Sequence, residues 1–275
     1  MGGEQQEVQQ SIKWYEVDHV SVVQEKAASI RESELLSSYA PNLTNTQHGF
    51  CSHNNVTMST ASSYHLVGHD LRDSPAMLLE KLKLNPSLPT LFVLECVFMY
   101  LPLESSQEVL RNIAKCADEV YMACYEPILN GVHNNSAAGN RRLDPFGQMM
   151  EQNLTKAKVA TPDSCLLQTR TLKDQLDKLM QCRFQTAVGC DMWSSYQTIL
   201  SHEQRTTANH CEFLDEYEEW IMIMQHYCFV VGTVSKSSGE ERKSRTDTFT
   251  AVTQQPAKDP SLLGFVEGKC LKVAL

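Results

Sequence analysis

Four short apolar runs, each closing on an acid, constrain the fold of this chain more than any other feature of its sequence. They are Ile12 to Asp18, Tyr64 to Asp70, Thr90 to Glu95 and Glu119 to Glu126. Each is short for a helix and too continuously apolar for a strand with one wet face. Each therefore reads as a strand of a parallel sheet covered on both sides. Helical patterns separate them, at Val20 to Leu36, Pro75 to Leu84 and Ser105 to Ala117. Ser74 stands where an N-cap belongs, and Pro75 where the first helical turn accepts a proline. Strand–helix alternation predicts an α/β sheet with right-handed crossovers and helices on both faces.

The second half changes character. Helices are predicted at Phe146 to Ala157, Thr171 to Met180, Trp193 to Leu200 and Phe213 to Trp220. Strands are predicted at Phe184 to Asp191 and, late in the chain, at Met222 to Val234. From Ser235 the apolar content falls and Ser, Thr and charge take over. This divides the chain into a domain over residues 1–234 and a low-complexity tail over 235–275, expected to be mostly disordered. A net charge of −9 disfavours a nucleic-acid partner held through its phosphates. No run resembles a membrane span or a secretory signal, so the reducing cytosol or nucleus is the expected compartment. The ten cysteines include no C-x-x-C pair, and no metal is expected.

Ligands of an open parallel sheet bind beyond the carboxyl ends of its strands. Asp18, Asp70, Glu95 and Glu126 would all stand at that edge. Acids there can accept hydrogen bonds from ribose hydroxyls or an amino group, or sit beside a cation. The competing reading is that acids commonly open loops and cap the helices that follow. Four in succession favour a cationic or polyhydroxylated ligand.

Particular blocks go further. Tyr15-Glu-Val-Asp18, Leu66-Val-Gly-His-Asp-Leu-Arg-Asp73 and Pro89-Thr-Leu-Phe-Val-Leu-Glu-Cys-Val97 with Tyr100 come first. Then come Tyr125-Glu126, Asp144-Pro-Phe-Gly-Gln-Met-Met150 with Asn153, Asp191-Met192, Phe213 to Glu219, and His226-Tyr227. In order and spacing this set resembles the leucine carboxyl methyltransferases, from about Ile12 to Val234. The resemblance implies a Rossmann-like, S-adenosylmethionine-dependent methyltransferase sheet. It implies as substrate the C-terminal leucine carboxylate of a type 2A protein phosphatase catalytic subunit. Asp18 would hold the ribose of the cofactor, and Asp70 and Leu71 would lie against its adenine. Glu95 would stand near the methionine and sulfonium end. Tyr100 would line the floor of the site, while Phe146, Gly147 and Asn153 would help to cover the substrate groove. A monomer is expected.

A terminal carboxylate, with an ordinary pKa of roughly 3.5, is already ionised near neutrality. Its methylation needs no general base, and no catalytic acid or base is assigned. Arg141 and Arg142 flank the cover segment and are candidates to hold the substrate carboxylate, against the competing reading of a loop surface. The family's N-terminal helices, its first strand and the Gly-x-Gly turn after that strand have no counterpart before Ile12. The missing strand lies at the centre of the sheet in this fold. The expectation is a poor enzyme unless another segment supplies that strand, with the tail from Ser235 the leading candidate. Two other readings compete. One is a catalytically impaired binding module of the same fold. The other is a carboxyl methyltransferase of the transfer-RNA wybutosine type, which the acidic balance disfavours.

Overall fold

The computed structural model describes residues 12–40, 44–45, 57–59, 64–131, 143–211, 214–236 and 271–274. The four apolar runs are strands: β1 (Trp14–Asp18), β4 (Tyr64–Gly68), β5 (Thr90–Glu95) and β6 (Glu119–Pro127). After β1 come helices α1 (Val20–Glu32) and α2 (Glu34–Tyr39), then the short strands β2 (Thr44–Asn45) and β3 (Thr57–Ser59). Helix α3 (Pro75–Leu82) follows β4, and α4 (Leu103–Ile113) follows β5 after a 3-10 turn at Phe98–Tyr100. Beyond β6 lie α5 (Pro145–Lys156), α6 (Cys165–Gln168), α7 (Leu172–Gln181), β7 (Thr186–Asp191) and α8 (Met192–Thr198). The set ends with α9 (His202–Cys211), α10 (Tyr217–Gln225), β8 (Tyr227–Ser235) and β9 (Leu271–Ala274).

The nine strands among the described residues form one sheet, in the order β2-β3-β4-β1-β9-β5-β6-β8-β7. From β4 through β6 every pairing is parallel, while β3, β8 and β7 join antiparallel to their neighbours. Consecutive side chains on a strand point to opposite faces, and the core divides accordingly. Leu66 of β4 packs with Val23, Ala27 and Ile30, the inward stripe of α1. Its neighbour Val67 belongs to the main cluster on the other face, with Leu78 and Leu82 of α3, Val109, Leu110 and Ile113 of α4, and Leu179 of α7. Helices therefore cover both faces, as the continuous hydrophobicity of the strands requires.

Several expectations are corrected. The helix read as Val20 to Leu36 breaks at Ser33, whose extended backbone ends α1 and whose hydroxyl accepts the N–H of Leu36 to start α2. The apolar run Met222 to Val234 is not one strand: Met222 to Gln225 finish α10, and β8 begins at Tyr227. The helix expected from Phe213 begins only at Tyr217. The largest departure lies within the segment read as a tail. Leu271–Ala274 is a strand, paired in parallel with β1 on one side and β5 on the other. It fills the central position expected of the strand that has no counterpart before Ile12. The rest of that segment after Lys236, the glycines Gly2 and Gly3, and Arg141 and Arg142 lie outside the described residues.

Candidate active site

Strand order reverses across β9: β1 and then β4 run to one side, β5 and then β6 to the other. Such a reversal opens a crevice at the carboxyl ends of the flanking strands, where ligands of doubly wound sheets bind. Asp18 ends β1 and Glu95 ends β5, so two carboxylates flank the reversal, and both are exposed. One Asp18 oxygen accepts the N–H of His19 at 2.7 Å, which leaves the other for a ligand. Glu95 accepts no hydrogen bond from a described residue.

Asp70 follows β4 one strand further out, and the N–H of His69 ties that strand end to the carbonyl of Asp18 at 2.8 Å. Its carboxylate is engaged already. The backbone N–H and the Nε of Arg72 both donate to it, each at 2.9 Å. The guanidinium holds the Asp70 carboxyl down at about 2. A bidentate arginine of this kind still leaves lone pairs on the carboxylate for an amino group. Leu71 is half-buried and packs against the main core.

The loop after β5 is tightly constrained. Cys96 adopts a left-handed φ of 51°, uncommon for a residue with a Cβ. Its N–H donates to the carbonyl of Tyr125 at 2.8 Å, and the next residues wind into the 3-10 turn. Tyr100, at the end of that turn, is 59% exposed, so its ring lies at the surface. Glu126 differs from the other strand-end acids: it is 1% exposed and faces inward.

The cover segment is organised around Asp144. One oxygen of that carboxylate caps α5 by accepting the N–H of Gly147 at 2.7 Å. The other bonds Nε2 of His226 at 2.9 Å. The second nitrogen of the same imidazole meets the carbonyl of Met222 at 2.8 Å, and Phe146 packs on the ring with centroids 4.5 Å apart. His226 is thus a buried structural histidine. Gly147 lies against backbone, because a Cβ there would come within 1.8 Å of the Leu129 carbonyl oxygen. Asn153 is exposed two turns along α5, on the same stripe as Phe146.

Carboxylates thus stand on either side of the reversal point of a Rossmann-like sheet, where ligands of such sheets bind. Residues 5–114 match the family model described as leucine carboxyl methyltransferase. Leucine carboxyl methyltransferase 1 of Bos taurus is 30% identical over 232 residues, 80% of this chain and 62% of its own length. The protein of that name in Eremothecium gossypii is 30% identical over 171 residues, 61% of this chain and 48% of its own. Among solved structures, PigF with SAH superposes with a TM-score of 0.34 at 12% identity, over 82% of this chain and 51% of that one. The chain is similar to leucine carboxyl methyltransferases along most of its length, and it spans about three fifths of the bovine relative's length.

Proposed function

We propose that this chain binds S-adenosylmethionine at the crevice between β1 and β5 and methylates the C-terminal leucine carboxylate of a type 2A phosphatase catalytic subunit in the cytosol. The observation that carries the reading is the pair Asp18 and Glu95, exposed on strand ends that flank the sheet's reversal point. The donor set suits this cofactor. Asp18 offers an open acceptor for ribose hydroxyls, Asp70 lies one strand out for the adenine amino group, and Glu95 places an anion for a sulfonium. When bound, the cofactor supplies an electrophilic methyl group.

The residues of the chain then have three tasks. Asp18 and Asp70 fix the nucleoside, Glu95 orients the charged end, and Phe146 and Asn153 on α5 stand over the groove that would receive the peptide terminus. The nucleophile arrives ionised, so the protein's contribution is alignment and the removal of water around the carboxylate. That accounts for a site built of carboxylates, with the buried His226 committed to Asp144 and Met222.

The test uses two peptides that share a phosphatase C-terminal sequence, one with a free terminal leucine carboxylate and one amidated. With labelled S-adenosylmethionine, label should enter the free peptide only. Equal labelling of both would reject the carboxylate as acceptor. Tight cofactor binding with no labelling of either would instead favour a binding module of the same fold.

A further inference from the structure

Of the four acids that close the parallel runs, Glu126 is the one that does not face the crevice. It lies near the end of β6, 1% exposed, where an unpartnered carboxylate would be costly. Its partners are three successive backbone groups of the loop after β5. One oxygen accepts the N–H of Val97 at 2.9 Å and of Phe98 at 2.7 Å. The other accepts the N–H of Met99 at 3.1 Å. These groups open the 3-10 turn, and no preceding turn supplies acceptors for them. Successive N–H groups converging on one anion form a strong, geometrically specific clamp. Lys178, itself 3% exposed, sits over the Phe98 ring 4.8 Å from its centroid, and its positive charge acts on the Glu126 carboxylate.

The clamped segment has an exposed residue of the crevice at each end. Glu95 precedes the left-handed Cys96, and Tyr100 ends the turn. We infer that Glu126 is the positioning residue of the methyl-donor site: by tying off the N–H groups of residues 97–99 it sets the direction in which Glu95 and Tyr100 leave the sheet. The inference rests on the cofactor site proposed above. Glu126 acts through the loop and touches no reactant.

Glutamine at this position keeps the shape and one acceptor oxygen. It turns an N–H donor toward Met99 and removes the countercharge to Lys178. Binding of S-adenosylmethionine and of S-adenosylhomocysteine, which lacks the sulfonium charge, separates positioning from general loosening. Glu126→Gln should weaken S-adenosylmethionine by about tenfold, the loss of a charge-assisted contact, and weaken S-adenosylhomocysteine clearly less. In a Glu95→Gln background most of that penalty should vanish, while in an Asp18→Asn background it should persist in full. If Glu126→Gln alone does not fold, Glu126→Gln with Lys178→Met restores charge balance and gives the same readout.

Equal weakening of both ligands, or additivity with Glu95→Gln, would overturn the inference while leaving the cofactor site standing. A wild-type chain that binds neither ligand would bring down the site itself, and the inference with it.

Discussion

The acids at strand ends show how far single residues can be read from sequence. Asp18 and Glu95 were legible because a buried strand must stop where a charge first needs water, so the last acid of each run marks the sheet's edge. Glu126 obeys the same pattern yet points inward, since sequence does not reveal three N–H groups waiting for a carboxylate. Nor did it reveal that Arg72 occupies Asp70. Asp18→Ala should weaken S-adenosylmethionine binding by roughly ten- to a hundredfold in calorimetry, the value of a charge-assisted hydrogen bond. Asp70 gives a pH prediction. Its carboxyl is held at about 2 in the folded chain, below its ordinary 3.8. Its contribution to stability is therefore complete above pH 4 and fades as pH falls toward 2. Solvent screens the pair, so the effect is well under about 1 kcal/mol. Arg72→Ala should move the Asp70 titration upward in an NMR experiment and flatten that part of the stability profile.

Elements were legible where periodicity and caps agree. Helix α7 follows its leucines, and Thr171 with Asp174 forms the reciprocal capping box that starts it. Thr171→Ala should cost about 1 kcal/mol in chemical denaturation, with cofactor affinity unchanged. The boundary between α10 and β8 was misread because apolar residues run through it without a glycine or proline, and periodicity cannot separate two buried elements joined so directly. Gly147 is a different case. It was read as part of a groove, but its place in α5 is dictated by the Leu129 carbonyl beneath it. Alanine ordinarily favours a helix over glycine, so the normal expectation for Gly147→Ala is a gain. Here the added methyl meets backbone that cannot turn aside. The substitution should lower stability by about 1–3 kcal/mol and shift α5 away from β6, seen as a lower melting temperature and faster exchange at the amide of Leu129.

At the scale of the whole molecule, the parallel order around the reversal point was legible and the identity of its central strand was not. Leu271–Ala274 has too little sequence to announce itself, and it lies in a segment whose composition reads as tail. Among the described residues it is the only link in the sheet between the β1 side and the β5 side, since β1 and β5 pair with β9 and not with each other. Val273 is in backbone register with Tyr15 in one neighbour and Phe92 in the other. A proline there forfeits a backbone donor in a central strand, so Val273→Pro should destabilise by about 3 kcal/mol or more and release amide protection along β1 and β5 together. The pairing of Tyr15 with Val273 joins residues about 260 positions apart in the chain. The consequence is one of time. On the ribosome the two half-sheets emerge and collapse long before the strand that joins them is made, each with a raw edge open to any passing strand. Stopped-flow refolding should therefore show fast burial of the tryptophans followed by a slow final phase, and yields in expression should rise when synthesis is slowed by cold.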